Sequence, residues 1–580
     1  MARPLAQGAT PEPAAADVAI VGSGVAGALI GWKLASAGLR VTILEAGPRV
    51  DRDAAVNQYR AAIVQTPDSP YDKPAWAPYP TVLFLKDGYY IQTGPELFGS
   101  TYLRAVGGTT WHWLGSMIRL LPADFEMRTR YGVGEDWPLS YDQLQPWYLE
   151  GEAQLGTAGD NAFDLGSPRS AGYPLPKIPQ TYGDDLVARA AATLGWRVDP
   201  TPQARNSVQY QDRPPCCGNA MCIPICPIAA KYDASVHVAL AERAGARVIE
   251  NAVVDRVEVD AEGRVSGLRY KTPDGAEHAV AARVYVVAAN AIEAAKLLLI
   301  SRSEALPTGV ANSSDTVGRY LADHPVKLSI AAANDPLYPY RSPLSTSGIE
   351  QLRGGDFRRE RSAFRLEIGN DGWSWPGFDP LGVAQELIEQ GVSGEELYRT
   401  IHERIPHQMR VASLTEQVPN PDHRIVPHPT EVDELGIPRP QIIYNLDDYT
   451  RAGLAEAERA HDRLFDALGV SFRQHFPGFF GAGHLMGTHR MGTDPRTSVT
   501  DPDGRTHDHP NLWLAGGGLF PTTGTANPTA TVAAHSLRTA AAIEAEFGLA
   551  VATPAASPIG ASPVASPAAS PPASPAGTSV

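Results

Sequence analysis

Four cysteines lie within eleven residues, and the chain contains no other cysteine. They are Cys216, Cys217, Cys222 and Cys226, and Pro227 follows directly. Disulfide scaffolds spread their cysteines along the chain, and zinc sites usually show two separated pairs. The step from Cys222 to Cys226-Pro227 instead matches the end of a bacterial ferredoxin run, and crowded thiolates favour an iron–sulfur cluster or another soft metal. The alternative is a redox-inert loop or a local disulfide, although adjacent Cys216 and Cys217 are poorly placed to bridge each other.

A second candidate site is a glycine motif near the N-terminus, and its whole structural context is present. Apolar residues 18–21 predict a strand before the motif, and the helical period of residues 26–37 predicts a helix after it. Residues 41–44 predict a second strand, which ends in an acidic residue, Glu45, 18 positions after Gly27. This combination is typical of a dinucleotide-binding β–α–β unit.

Each residue of the motif has a physical role in that interpretation. Gly22 permits a tight turn, Gly24 lets the backbone approach a pyrophosphate, and Gly27 lets the helix pack closely on the strand. The helix N-terminus faces the negative charge. Glu45 would accept hydrogen bonds from the ribose hydroxyls and disfavours a 2′-phosphate, so FAD or NAD fits better than NADP. The alternative is a glycine-rich turn without a ligand.

Composition narrows the function classes. The chain has 580 residues and a net charge of −15, which argues against binding of nucleic acid through its own surface. No apolar run is long enough to predict a transmembrane helix, and residues 1–15 lack the features of an export signal. Residues 551–580 consist only of small, apolar or hydroxyl-bearing residues and proline, with repeated Ser-Pro, and predict a disordered tail.

The rest of the sequence reads as interleaved α/β structure. Strands are predicted at residues 248–259, 283–288 and 511–515, the last ending in glycines. Helices are predicted at residues 291–299 and 527–546. Strands from both ends of the chain are therefore expected to join one nucleotide-binding sheet, with a second domain formed by the middle of the chain.

Several further blocks resemble the glucose–methanol–choline (GMC) flavin oxidoreductases over essentially the full ordered length. Within that family the chain most resembles the catalytic subunits of bacterial membrane-associated, cytochrome-linked sugar and polyol dehydrogenases, which include FAD-dependent glucose, fructose, sorbitol and 2-ketogluconate dehydrogenases. The cysteine run is the specific part of the likeness, because most GMC members lack it. Besides the glycine motif and the cysteine run, the blocks are residues 104–113, 131–138, 318–325, 483–492 and 521–528.

The resemblance implies an α/β fold in which a Rossmann-like FAD-binding domain is interleaved with a substrate domain over an antiparallel sheet. It predicts a disordered N-terminus, an FAD-binding domain containing the cysteine loop, a substrate domain, a C-terminal return to the FAD-binding domain and a disordered tail. The boundaries are expected at 1–15, 16–322 with the loop near 214–228, 323–484, 485–548 and 549–580.

His484 and Asn527 form the predicted catalytic pair. Oxidising a hydroxyl by hydride transfer to a flavin needs a base for the hydroxyl proton, and histidine suits that role near neutral pH. A second polar group on the same oxygen fixes the carbon against the flavin. In the GMC family His484 matches the position of the base, and Asn527 matches the position of its partner. His489, His112, His324 and His535 are interpreted as structural, pocket-lining, core or surface groups.

The resemblance also implies the rest of the cofactor contacts. Gly107, Gly108 and Thr109 would offer a small-residue backbone to the isoalloxazine, and Val254 would lie on the strand that touches the adenine. Gly517 and Gly518 would approach the flavin at the start of the C-terminal helical region. FAD is expected to bind without covalent attachment, with His112 as the one candidate for a link.

In dehydrogenases of this type the resemblance implies a three-iron, four-sulfur cluster held by three thiolates. Cys222 and Cys226 are the expected ligands, and Cys216 is favoured over Cys217 as the third, although Cys217 stays possible. The cluster would pass electrons to a membrane-anchored multihaem cytochrome c subunit, and a small helper subunit would carry the export signal. The enzyme would then work at the periplasmic face of the inner membrane.

Two other functions compete with this reading. A GMC alcohol or sugar oxidase would pass electrons to oxygen and would have no use for the cysteine run. A non-catalytic FAD-fold protein would not need an intact His484 and Asn527. The sequence does not identify the sugar, polyol or sugar acid, nor the carbon that is oxidised; specificity is expected in residues 342–410.

Overall fold

A computed structural model describes residues 16–63, 65–81, 88–339, 341–370 and 380–551. The predicted N-terminal tail, residues 1–15, and residues 552–580 of the predicted C-terminal tail lie outside the described residues. No helix within these described ranges is both long enough and apolar enough to cross a membrane.

The described chain alternates short strands with helices. The strands are β1 (Ala16–Val21), β2 (Val41–Leu44), β3 (Ile91–Gln92), β4 (Thr157–Gly159), β5 (Leu175–Pro176), β6 (Asp199–Pro200), β7 (Gln203–Ala204), β8 (Arg247–Ile249), β9 (Val253–Val259), β10 (Val265–Lys271), β11 (Glu277–Val280), β12 (Ala282–Val287), β13 (Val326–Ala333), β14 (Ser345–Ile349), β15 (Phe364–Gly369), β16 (Gln408–Thr415), β17 (Arg424–Val432), β18 (Pro438–Ile443), β19 (Val470–His475) and β20 (Leu512–Leu514). The helices are α1 (Val25–Ser36), α2 (Arg52–Ala61), α3 (Met127–Tyr131), α4 (Tyr141–Leu155), α5 (Tyr182–Thr193), α6 (Ser235–Arg243), α7 (Asn290–Ile300), α8 (Pro380–Glu389), α9 (Gly394–Arg404), α10 (Asp448–Leu468) and α11 (Thr529–Glu546).

The first sheet has five parallel strands in the order β20-β12-β1-β2-β8. Its strands are almost wholly buried and rich in valine, isoleucine and leucine, as expected for a parallel sheet covered on both faces. Strands from the two ends of the chain therefore lie in one sheet, which confirms the predicted nucleotide-binding architecture.

The predicted β–α–β unit is confirmed as β1, α1 and β2. Gly22 adopts φ +94° in the turn after β1, a conformation that favours glycine. A Cβ on Gly27 would lie 2.0 Å from the carbonyl oxygen of Gly22, so only glycine allows α1 to approach the strand this closely. This packing places the N-terminus of α1 at the carboxyl edge of the sheet.

The strand predicted at residues 248–259 is wrong in one respect, because the structure divides it into β8 and β9. The break falls at Asn251, which has φ +55°, a left-handed conformation that asparagine tolerates better than most residues. Glu45 accounts for the change of direction, since its N–H donates to Ile249 O and its carbonyl accepts from Ala252 N, both at 2.8–2.9 Å. β8 thus stays in the parallel sheet, and β9 pairs with β10 in a separate antiparallel sheet.

The second large sheet has six strands in the order β19-β13-β16-β15-β14-β6, and its adjacent strands are antiparallel. Helices α5 and α10 pack on it around a hydrophobic core that includes Val411 and Phe465. Most of its strands come from the middle of the chain, while β6 comes from earlier residues. The exact domain boundaries stay a prediction.

Candidate active site

A cavity of about 1190 Å³ lies between the two large sheets. This volume exceeds the range of about 300–1,000 Å³ that is usual for ligand pockets, so it has room for a dinucleotide together with a second molecule. Its wall combines the glycine turn after β1 with residues of the antiparallel sheet, such as Glu367 of β15 and Arg410 of β16. The predicted residues in the wall are Gly22, Gly24, Glu45, Gly108, Thr109, Val254, Gly517, His484 and Asn527.

One end of the cavity has the properties of a pyrophosphate site. Gly24 is the N-cap residue of α1, and no side chain caps the helix. The first backbone N–H groups of α1, whose residues Val25 and Ala26 lie in the wall, are therefore available to an anion. A Cβ built on Gly24 would meet no protein atom within 4 Å, so the space above it is open to a ligand.

Glu45 lies beside this turn and is held in place by it. Its carboxylate accepts hydrogen bonds from Ser23 N at 2.9 Å, from Ser23 Oγ at 2.6 Å and from Gly47 N at 3.1 Å. Burial raises the pKa of Glu45, while these hydrogen bonds act in the opposite direction. The carboxyl is thus fixed at the cavity wall after β2, where the ribose of a dinucleotide would lie.

The segment from Gly108 to Trp113 forms another part of the wall, and Gly107 lies directly before it. Gly107 and Gly108 have φ of +98° and +57°, and the Gly107 N–H donates to Ser23 Oγ at 3.1 Å, which ties the segment to the glycine turn. His112 lines the cavity, burial lowers its pKa to about 4, and its Nδ1 has no partner within the described residues. An unpartnered polar atom at the wall fits a site that is completed by a ligand.

Three predicted glycines lie behind the wall rather than in it: Gly27, Gly107 and Gly518. Gly518 is in contact with His489, because a Cβ there would lie 1.9 Å from the imidazole ring. His489 is buried, and burial lowers its pKa to about 3, as expected of a structural histidine. Gly517, by contrast, lines the cavity.

His484 and Asn527 reach the cavity from different parts of the chain. His484 follows the glycine-rich segment after β19, and Asn527 directly precedes Pro528, the N-cap residue of α11. Burial lowers the pKa of His484 well below its usual range, and the nearby His324 and Arg365 add to the effect. His484 is therefore a neutral imidazole near pH 7, which is the form that can accept a proton.

Asn527 is oriented by a buried charge network on the antiparallel sheet. Arg365 of β15 donates to Asn527 Oδ1 at 3.5 Å, to Glu367 Oε2 at 2.9 Å and to Glu350 Oε1 at 2.9 Å. With its oxygen facing a guanidinium, the amide group of Asn527 is left with its N–H donors for the cavity. Glu367 also pairs with Arg410, so the wall opposite the glycine turn is lined by polar groups.

His324 is the direct neighbour of His484. The Nδ1 atoms of the two rings are 2.9 Å apart, and His324 Nε2 is 3.1 Å from the carbonyl oxygen of Gly524. Asp323 holds both backbones, because its Oδ1 accepts from the N–H of His324 at 2.7 Å and from that of His484 at 3.1 Å. His324 is fully buried, as expected of a core group, and its contact with the candidate base is a feature that the sequence did not predict.

The four cysteines lie in the loop between β7 and α6, and all have free thiols. Cys222 and Cys226 are buried, Cys216 is half-buried and Cys217 is exposed. Burial is the main reason for the raised pKa of Cys216, and the charges of Cys222 and Cys226 contribute in the same direction. Within the ranges that the structure describes, no three histidine, cysteine, aspartate or glutamate side chains are arranged as a metal site.

This loop is attached to the cavity wall. Ile223 lines the cavity itself. Lys231, later in the same loop, attaches it to the wall. Its backbone N–H donates to Cys226 Sγ at 3.4 Å, and its Nζ donates to the carbonyl oxygens of Trp111 at 2.9 Å and Trp113 at 2.7 Å. The cysteines and the segment expected at the flavin are therefore joined by direct hydrogen bonds.

Sequence reasoning did not identify the buried groups that surround the catalytic pair. Arg365 and Glu367 lie two residues apart on β15, but Glu350 comes 15 residues before Arg365 and Arg410 comes 43 residues after Glu367, so only the pairing of β14, β15 and β16 brings the four together. Charged residues within an otherwise apolar strand, as in Phe364–Gly369, are the one signal that could have indicated them. Asp323 and His324 belong to the family block at residues 318–325, but nothing in the sequence of that block predicts contact with His484.

Known proteins resemble this chain over most of its length. Two models described as GMC oxidoreductase match residues 173–326 and 428–536, and a model described as an NAD(P)-binding Rossmann-like domain matches residues 20–66. The fructose dehydrogenase large subunit of Gluconobacter japonicus is 38% identical over 92% of this chain and 98% of its own length. The 6'''-hydroxyparomomycin C oxidase of Streptomyces lividus is 31% identical over 91% of each chain.

A solved structure shows the same fold at lower sequence identity. Pyridoxine 4-oxidase from Mesorbium loti superposes with a TM-score of 0.61 and 18% identity, covering 90% of this chain and 98% of its own. The open space above Gly24, the uncapped start of α1 and the unpartnered His112 Nδ1 fit FAD, the cofactor that the family implies. The chain belongs to the GMC oxidoreductase family and is an FAD-dependent enzyme of that family.

Proposed function

We propose that the protein is a dehydrogenase that oxidises a hydroxyl group of a sugar, sugar acid or polyol and passes the electrons through an iron–sulfur cluster to a c-type cytochrome. The observation that carries the oxidation step is a single cavity that extends from the dinucleotide turn at Gly24 to His484 and Asn527. FAD bound in this cavity would supply the hydride acceptor.

The residues of the chain perform the proton chemistry. A neutral His484 accepts the hydroxyl proton as the carbon loses hydride, which is the role of a general base. Asn527 donates an amide N–H to the same oxygen, since its own carbonyl oxygen faces the Arg365 guanidinium at 3.5 Å. These two contacts hold the oxygen, and they direct the carbon that carries it toward the flavin side of the cavity.

The wall opposite the glycine turn supports a polyhydroxylated substrate. Glu367 and Arg410 present charged groups to the cavity, and both are almost fully buried. Charged side chains in the wall of a cavity form strong hydrogen bonds to substrate hydroxyls, which favours a polyhydroxylated compound. The likeness to a fructose dehydrogenase large subunit supports the same class, with a ketose as the first compound to test.

The proposed cluster ligands are Cys216, Cys222 and Cys226. All three are at least partly buried, whereas Cys217 is exposed, and the charges of Cys222 and Cys226 act on the Cys216 thiol. Three thiols in one loop supply the donors that an iron–sulfur cluster prefers. Ile223, between Cys222 and Cys226, lies in the cavity wall, which supports electron transfer from the flavin through this loop.

The proposed partners follow from the need for an electron acceptor. We infer a membrane-anchored multihaem cytochrome c subunit and a small helper subunit that carries the export signal. The enzyme would then act at the periplasmic face of the inner membrane. The term "large subunit" in the name of the Gluconobacter relative supports assembly with other subunits.

A substrate screen tests the oxidation step. Purified holoprotein is supplied with ketoses, aldoses, polyols and aldonates, and reduction of an artificial dye is followed with and without oxygen. We expect dye reduction with at least one polyhydroxylated compound and little consumption of oxygen. Oxygen consumption that equals dye reduction would instead establish an oxidase, as the Streptomyces relative is named.

Cysteine variants test the cluster separately. Iron content and electron paramagnetic resonance are measured for Cys222→Ser and Cys226→Ser, with Cys217→Ser as the matched control, since Cys217 is the exposed member of the run. We expect the cluster signal to disappear in the first two and to survive in the control. Flavin reduction by substrate should persist in any variant that stays folded, because hydride transfer takes place at the flavin. An iron-free wild-type protein would contradict the proposal.

A further inference from the structure

The contact between His324 and His484 constrains where protons can reside. Each neutral imidazole carries one N–H and one nitrogen without a proton. The hydrogen-bond partners of the ring determine which nitrogen carries the proton. His324 Nε2 is 3.1 Å from Gly524 O, and a carbonyl oxygen can only accept a hydrogen bond. His324 therefore carries its proton on Nε2.

The position of this proton on His324 determines which nitrogen of His484 carries a proton. With its proton on Nε2, a neutral His324 has a bare Nδ1. That atom lies 2.9 Å from His484 Nδ1, a hydrogen-bond distance that needs one proton between the two nitrogens. The proton must belong to His484 Nδ1, because His324 has none to give there.

The alternative arrangements are unfavourable. If His324 Nδ1 carried the proton instead, its bare Nε2 would face the lone pairs of Gly524 O. If both nitrogens of His324 were protonated, a cation would be buried, and burial lowers the pKa of His324 to about 4. His324 is fully buried, with no exposed surface in this structure.

We propose that His324 is a positioning residue that fixes the tautomer of His484, so that His484 donates through Nδ1 and keeps a bare Nε2 for the substrate hydroxyl. The proposal rests on the proposed function, in which His484 is the base. In the reaction the hydroxyl proton would move to His484 Nε2 while the carbon gives up its hydride and the C–O bond becomes a carbonyl; FAD, when bound, would supply the acceptor for the hydride. His324 Nδ1 accepts from the resulting imidazolium and stabilises it.

The surroundings hold the pair in this geometry. Asp323 binds the backbone N–H groups of both histidines, and its other oxygen accepts from Ala482 N at 3.1 Å and from Ser100 Oγ. The rings are nearly perpendicular, with an interplanar angle of 88° and centroids 5.0 Å apart. The two rings therefore meet through their Nδ1 atoms rather than by stacking.

Nitrogen NMR of the holoprotein labelled with ¹⁵N-histidine tests the proposal without turnover. The His484 signals are identified by their loss in His484→Asn. In the wild type we expect His484 Nδ1 to be protonated and Nε2 to be bare. His324→Leu removes the acceptor and should change the His484 tautomer, whereas His324→Asn offers an oxygen near the Nδ1 position and should retain it. A protonated Nε2 in the wild type, or an unchanged tautomer in His324→Leu, would overturn the proposal.

Anaerobic flavin reduction supplies the second readout. We expect His324→Leu to slow flavin reduction about 10- to 100-fold. This is part of the rate enhancement of roughly 10²- to 10⁴-fold that a general base contributes. His535→Leu is the matched control, because His535 is also buried and lies 3.0 Å from a backbone carbonyl, Pro502 O, outside the cavity wall. A wild-type rate in His324→Leu overturns this proposal alone, whereas a wild-type rate in His484→Ala overturns the proposed function.

Discussion

Replacing Gly24 by leucine should separate folding from cofactor binding. Gly24 has φ −64° and ψ −175°, extended backbone that any residue adopts, and a Cβ there meets no protein atom within 4 Å. The folded protein therefore has room for a side chain at this position. That room lies in the cavity, at the uncapped N-terminus of α1, where the pyrophosphate is expected.

The expected magnitudes differ greatly for the two properties. The protein without flavin should lose no more than about 1 kcal/mol, since leucine is a poorer N-cap residue than glycine. Flavin binding should lose the hydrogen bonds between the first turn of α1 and the pyrophosphate, each worth about 1.5–3 kcal/mol because the acceptor is charged. Loss of two such bonds corresponds to a Kd about 10²- to 10⁴-fold higher.

Titration of the flavin-free protein with FAD, followed by flavin fluorescence, measures the affinity, and thermal unfolding of the same samples measures stability. Gly24→Ala should show a smaller loss of affinity. Gly27→Ala provides the contrast, because its Cβ would lie 2.0 Å from Gly22 O and should disrupt folding. A Gly24→Leu protein that binds FAD with wild-type affinity would refute the placement of the cofactor. A Gly24→Leu protein that fails to fold would refute the claim that the space above Gly24 can hold a side chain.

Three further predictions concern the catalytic pair, the attachment of the flavin and the dependence of stability on pH. Asn527→Ala should lower kcat about 10- to 100-fold with FAD still bound, because the substrate oxygen loses one of its two contacts, and a wild-type kcat in steady-state assays would exclude this role. Acid precipitation should release the flavin into the supernatant; flavin that stays with the protein, and is released in a His112→Ala variant, would instead establish a covalent link. The melting temperature of the holoprotein at saturating FAD should fall as the pH is lowered from about 7.5 to about 5.5. Burial lowers the pKa of six histidines to about 3 or 4, so over this range the unfolded chain binds protons that the folded chain does not. Asp323 acts in the opposite direction, because burial raises its pKa to about 7. A melting temperature that does not change over this pH range would show that the six histidines are not buried as described. The six histidines are His112, His237, His324, His461, His489 and His535.

The sequence predicted the dinucleotide end of the site well, because local rules determine it. The run from Val18 to Glu45 contains a buried strand, a glycine turn, a helix and a second strand in succession, so neighbouring residues specify the geometry. Even so, the single strand expected at residues 248–259 is two strands, because hydrogen bonds from Glu45, some 200 residues away, turn the chain at Asn251.

The substrate end could be predicted only in part, because long-range pairing forms it. His484 and Asn527 were identified through family resemblance, but the network that orients Asn527 needs Glu350, just after β14, to meet Arg365 and Glu367 of β15, and this happens only when β14 and β15 pair. The contact between His324 and His484 spans 160 residues. No local pattern encodes such a contact, since it depends on where two separate segments meet.

The most direct test of the proposed chemistry is anaerobic stopped-flow measurement of flavin reduction by substrate in wild-type protein and in His484→Ala. Both proteins must first be shown to be folded and loaded with flavin, and His535→Leu serves as the control for removal of a buried imidazole. We expect the wild-type flavin to be reduced rapidly, and the rate in His484→Ala to be lower by about two to four orders of magnitude, the usual worth of a positioned general base. Flavin reduction in His484→Ala at the wild-type rate would contradict the assignment of His484 as the base and, with it, the proposed mechanism.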